Sequence, residues 1–73
     1  MNIFVSGGAS GLGLEITRIL ASQSSNFIYF TYYKSNDSAL AIEKSFPNTK
    51  KIKCNFQNYD DLNKICKLIN SMN

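Results

Sequence analysis

All four glycines of the 73-residue chain fall in seven consecutive positions: Gly7, Gly8, Gly11 and Gly13. Ahead of them, "NIFVS" (Asn2 to Ser6) is a short apolar run with β-branched residues, and it reads as a buried strand that Gly7 ends. Behind them, Leu12, Ile16, Ile19 and Leu20 recur at helical spacing. They predict a helix from Ser10 to Ala21 that stops in the polar stretch "SQSSN". The glycines therefore lie in a strand-to-helix turn. Glycine tolerates the backbone angles that a sharp exit from a strand requires. A loop poor in side chains also lets an anion reach backbone N–H groups, and a helix N-terminus adds unpaired donors and partial positive charge. The spacing Gly7-x-x-x-Gly11-x-Gly13 is neither G-x-G-x-x-G nor a P-loop. An ordinary tight turn is the competing reading; the position after a strand and before a periodic helix favours a phosphate loop.

The rest of the chain repeats the alternation. "FIYFTYY" (Phe27 to Tyr33) is rich in aromatic and β-branched residues and reads as the second strand. "KSND" follows as a loop in which Ser35, Asn36 or Asp37 can cap a second helix. Ala39, Ile42 and Phe46 mark that helix's apolar stripe, and Pro47 stops it. "KIKCNF" (Lys51 to Phe56) predicts a third strand. Leu62, Ile65, Cys66, Ile69 and Met72 predict a third helical stripe that starts near Tyr59. Asp60 and Asp61 in its first turn, with Lys64 and Lys67 later, suit the helix dipole.

The pattern βαβαβα predicts an α/β fold with a parallel sheet. Right-handed crossovers place the first two helices on one face and give strand order 3-2-1. A parallel sheet needs both faces covered, so the third helix is expected on the other face. Residues 1–73 read as a single, partial dinucleotide-binding domain, half of a doubly wound Rossmann fold.

Composition narrows the function classes. Charged residues are 18% of the chain, below the roughly 25% of a typical domain. The net charge of +3 sits mostly in Lys50, Lys51, Lys53, Lys64 and Lys67. It reads as a solvated lysine-rich edge, not as the dense, aromatic-interleaved stripe of a nucleic-acid protein. Cys54 and Cys66 fit no metal or redox spacing and read as small core residues in a reducing compartment, which points to the cytoplasm. No apolar run is long enough for a signal peptide or a membrane span, so no membrane partner is expected. Histidine is absent, which removes the commonest acid–base residue and metal ligand.

The glycine window carries a resemblance. "SGGASGLG" (Ser6 to Gly13) resembles the Thr-Gly-x-x-x-Gly-x-Gly fingerprint of the classical short-chain dehydrogenase/reductase family, with Ser6 where that family usually has Thr. The likeness runs along the whole chain. "YYKS" (Tyr32 to Ser35) resembles the end of the family's second strand, where a basic residue often meets the 2′-phosphate of NADP. "KCNFQNYDDL" (Lys53 to Leu62) resembles its third strand and following turn, where an Asp usually contacts the adenine. Here that position is Asn55, a departure that keeps a hydrogen-bond acceptor without the charge. The resemblance implies a cofactor site of Ser6, Gly7, Ser10, Gly11, Leu12, Gly13, Tyr33, Lys34, Asn55 and Phe56, with no metal.

Cofactor choice follows from charge. NAD recognition in such folds uses an acidic residue about 20 residues past the glycines. No acid ends the second strand here, whereas Lys34 suits a phosphate as a point charge. That favours NADP over NAD. A second basic residue inside the glycine loop, common in NADP-type members, is missing, because Ser10 stands there. A solvent-exposed loop lysine is the competing reading.

The family transfers hydride between NADP(H) and a carbonyl or alcohol with a Tyr-x-x-x-Lys pair, a Ser and an Asn. No Tyr in this chain is followed by Lys four residues later. The resemblance thus implies a cofactor half that alone is not catalytic: a fragment, a truncated reading frame or one chain of a larger assembly. The alternative is a non-catalytic, self-associating module. In the family's sheet a fourth strand flanks the first, so the partner expected beside strand 1 is either another copy of the chain or the remainder of the domain. The rival expectation is that helix 3 or the tail "NSMN" folds over that edge.

Overall fold

The computed structural model describes residues 1–71. The elements run β1 (Asn2–Val5), α1 (Gly11–Ala21), β2 (Phe27–Tyr32), α2 (Asn36–Ser45), β3 (Thr49–Lys53) and α3 (Tyr59–Ser71). The strands form one sheet in the order β1-β2-β3. Both pairings are parallel, with Phe4 opposite Tyr29 and Tyr29 opposite Lys50. This is the expected 3-2-1 order, a half Rossmann-like unit. Helices α1 and α2 pack on the sheet, α1 against both β1 and β2 and α2 against β3.

The core forms where the central strand meets α2 and the glycine loop. Ala9, Phe30, Ala39 and Ile42 cluster there, with Val5, Leu14, Tyr32 and Phe46 packed against them. Ile28 and Phe30 are fully buried, and they share one face of β2 because side chains alternate along a strand.

Helix α1 departs from its predicted packing. Its buried residues are Thr17 and Ala21, while Leu12 is 77%, Ile16 39% and Ile19 66% exposed. The reason is distance. A Cβ on Gly8 would come within 2.6 Å of both Phe30 Cβ and Thr17 Oγ1, and one on Gly13 would overlap the Gly7 carbonyl oxygen. A helix this close to its sheet turns its small residues inward. Larger apolar residues are displaced to the other side of the helix.

Strand β3 also differs from its prediction: it begins at Thr49 and ends at Lys53. Cys54 N still donates to Tyr32 O at 2.8 Å. Asn55 then breaks the ladder, because its amide donates to Asp61 Oδ2 at 2.9 Å and its Oδ1 accepts from Gln57 N at 3.0 Å. The side-chain acceptor replaces a strand partner, which is how Asn favours turns. Cys66 is exposed, not buried as predicted. Ile65 is the buried residue of α3. A thiol one position along lies about 100° around the helix and leaves the inward face. Met72 lies outside the described residues.

Two side chains hold the connections. Asn48 Nδ2 donates to Ala21 O at 3.0 Å and Asn26 O at 2.8 Å, tying the α1–β2 turn to the start of β3. Glu43 on α2 accepts from Lys51 N at 2.9 Å, and its other carboxylate oxygen meets Lys51 Nζ at 3.2 Å. The bond from the Lys51 amide, with help from its ammonium, holds the Glu43 carboxyl below its ordinary value against the opposing effect of burial. A depressed folded value means that this stability is complete above the ordinary carboxylate range. It is lost as pH falls through the depressed value. Glu43→Gln is therefore expected to cost about 1 kcal/mol in urea unfolding at neutral pH. The gap between variant and wild type should close in acid; a gap independent of pH would contradict this role.

Candidate functional site

A cleft of about 330 Å³ opens at the C-terminal ends of the strands. Open α/β sheets bind ligands in that position. Its walls come from the segments that follow each strand. Gly7, Ala9 and Ser10 follow β1, Tyr33, Lys34 and Ser35 follow β2, and Cys54 and Phe56 follow β3, with Thr31 and Tyr32 at the end of β2.

The glycine loop is built on two different constraints. Gly7 and Gly11 have φ of +69° and +54°, in the left-handed region that side chains disfavour. A Cβ on either would meet open space, whereas one on Gly8 or Gly13 would collide with its neighbours. One pair of glycines turns the chain; the other lets α1 approach β1 and β2.

The loop is fastened to β2. Gly7 N donates to Thr31 Oγ1 at 2.8 Å, and Gly8 N donates to Thr31 O at 3.0 Å. Those two amides are committed to the scaffold. The first intrahelical bond of α1 runs from Leu14 N to Ser10 O at 3.1 Å. The amides of residues 11 to 13 precede it and form the donor end of the helix. Ser10 is the N-cap, but its hydroxyl makes no capping bond. Thr17 Oγ1 donates to Gly13 O at 2.8 Å and is fully buried.

Five of the residues expected in a cofactor site line the cleft: Gly7, Ser10, Tyr33, Lys34 and Phe56. Tyr33 and Phe56 are 47% and 45% exposed, so flat apolar rings face solvent there. Lys34 Nζ lies 5.8 Å from the centre of the Tyr33 ring. Ser6 is an exposed loop residue beyond β1, and Gly11, Leu12 and Gly13 form the first turn of α1. None of these four lines the cleft. Asn55 is half-buried and lies outside the lining; its Oδ1 already accepts from Gln57 N.

Three residues with a part in this region carried no signal of it. Thr31 reads as one more β-branched strand residue, yet it orients the loop through both its hydroxyl and its carbonyl. Asp61 reads as a dipole partner, yet it anchors the turn after β3. Asn58 caps α3 by accepting from Asp61 N at 3.1 Å, a residue type suited to that place. Cys54 is 1% exposed beside the cleft. Burial, reinforced by the negative charge of Asp61, pushes its thiol up from the ordinary value, which suppresses the reactive thiolate. An aromatic disulfide reagent should therefore titrate one thiol, Cys66, rapidly and the second only on unfolding. Two equally fast thiols would show that the Cys54 pocket opens in solution.

Among the described residues no group of three or more His, Cys, Asp or Glu side chains is placed to hold a metal ion. No helix among them is long and apolar enough to cross a membrane. No protein-family model matches the chain, and no curated protein matches it.

Proposed function

We propose that this chain binds the adenosine and phosphate end of a dinucleotide, NADP in preference to NAD, as the cofactor-binding portion of a short-chain dehydrogenase/reductase. The observation that carries the reading is the loop from Gly7 to Gly13. Positive φ angles and two close approaches explain all four of its glycines, and it borders a cleft at the carboxyl ends of a parallel sheet.

The residues present fit the group. The donor end of α1 suits a pyrophosphate. The Tyr33 and Phe56 rings suit an adenine face, and the Lys34 ammonium suits a ribose phosphate. The cleft volume is near the lower end of the range for ligand sites, about 300–1,000 Å³, so it suits one end of a dinucleotide. Bound NADP(H) supplies hydride chemistry; the residues here bind and orient it. The Tyr-x-x-x-Lys pair that handles the proton in that family is not found in these 73 residues, so catalysis is not assigned to this chain.

Isothermal calorimetry with NADPH tests the proposal. Saturable one-to-one binding, weaker for NADH, is the expected result. No heat with either nucleotide at millimolar concentration would reject the reading in favour of a non-catalytic module.

A further inference from the structure

We propose that Thr31 is the positioning residue of the cleft: its buried hydroxyl aligns the donor end of α1 by holding Gly7. The inference rests on the cofactor reading above and adds the side chain on which the geometry of the loop depends.

β1 and β2 pair in parallel as far as Val5 and Phe30. Thr31 is the next residue of β2, and it takes two amides of the chain that leaves β1. Its carbonyl accepts from Gly8 N at 3.0 Å, a bond open to any residue at position 31. Its Oγ1 accepts from Gly7 N at 2.8 Å, a bond that needs an acceptor side chain. Thr31 is fully buried and is paired on its other side with Ile52 of β3. A β-branched side chain has a restricted χ1, so this hydroxyl is a fixed point on the central strand.

Gly7 needs such a point. It stands at φ +69°, and glycine has more backbone freedom to lose than any other residue. A Cβ on Gly7 would meet nothing within 4 Å, so packing does not confine it on that side. The bond to Thr31 therefore fixes the Gly7 peptide. The carbonyl of Gly7 fills the space where a Gly13 Cβ would stand, so Gly7 in turn sets the first turn of α1. Contact thus runs from Thr31 through Gly7 to the amides of residues 11 to 13, the group that suits a pyrophosphate. Hydrogen bonds weaken steeply when donors are misaligned. Thr31 lines the cleft, but it acts through Gly7.

Hydrogen exchange and titration of the full chain with NADPH and with adenosine 2′-monophosphate test the proposal. The second probe carries the adenine and the 2′-phosphate but no 5′-phosphate to reach α1. Thr31→Val keeps the shape of the side chain and removes the acceptor. It should speed exchange at the Gly7 amide and leave Gly8, whose partner is a carbonyl, protected. NADPH affinity should fall by roughly tenfold, the equivalent of one hydrogen bond, while affinity for the monophosphate holds. Thr31→Ser keeps the hydroxyl and should bind both probes as the wild type does. Thr31→Cys puts a poor acceptor in place of that oxygen. It should repeat the valine result, and it serves if the valine variant does not fold. NADPH affinity equal to wild type in the variants that lack the hydroxyl would overturn the proposal. So would equal losses for the two probes, which mark a general loss of fold, or a Gly7 amide that stays protected without the hydroxyl. A wild type that does not bind NADPH rejects the cofactor reading itself, and the positioning role falls with it.

Discussion

Gly13→Val is expected to abolish nucleotide binding and to remove much of the stability of the chain. The Cβ of any side chain at Gly13 would overlap the Gly7 carbonyl oxygen and press on Gly8 Cα at 3.3 Å. These are backbone atoms and have no alternative rotamer. Gly7 and Gly8 are also tied to Thr31 through their amides, so the loop yields only by breaking those bonds or lifting α1 off the sheet. Overpacking typically costs 1–3 kcal/mol. At 0.05–0.15 kcal/mol per residue, a chain this short has roughly 4–11 kcal/mol in all. Gly13→Ala carries the same clash with a smaller group and should rank between Val and the wild type. Gly11→Ala is the contrast: its Cβ meets open space, and only the φ of +54° opposes it, at about 1–2 kcal/mol. Thermal unfolding of the three variants, with NADPH calorimetry on each, checks the order. Undiminished NADPH affinity in a folded Gly13→Val chain would defeat the assignment of the loop as a phosphate site.

Lys34→Asp is expected to weaken NADPH binding far more than NADH binding. Lys34 borders the cleft just past β2, with its ammonium beside the Tyr33 ring. A charge-assisted hydrogen bond to a phosphate is worth about 1.5–3 kcal/mol, or roughly 10- to 150-fold in affinity. The substitution also places a carboxylate where NAD recognition uses an acid on the ribose hydroxyls, so NADH affinity should hold or rise. Calorimetry with both nucleotides reads the ratio directly. Equal losses would show that Lys34 does not read the 2′-phosphate.

The parallel α/β architecture was legible because each element leaves a local mark. Phe27 to Tyr32 is a dense β-branched and aromatic run, Ala39 and Ile42 keep helical spacing, and Pro47 ends a helix by sterics. Strand order then follows from the handedness of the crossovers. The concentration of glycines marked the site, though it did not reveal that two glycines serve the turn and two the close approach. Lys34 and Tyr33 reach the cleft because they follow the central strand. Asn55 does not, because its side chain is occupied in a local turn that the sequence pattern of β3 conceals.

Periodicity marked Leu12, Ile16 and Ile19 as inward and Cys66 as core, and the structure exposes all four. Apolar spacing reports that a helix has two unlike faces; it does not say which one meets the sheet. That choice depends on how closely the partner approaches. At α1 the approach admits only Gly13, Thr17 and Ala21, because Gly8 and Phe30 already fill the space beneath. The sequence by itself determined the alternation of elements, the parallel sheet and the place of the loop, since these follow from short-range preference and chain direction. The tertiary structure alone decided which α1 residues are buried, which amides Thr31 takes and where β3 ends. These depend on contacts between residues far apart in the chain, such as Gly7 with Thr31 and Ala21 with Asn48.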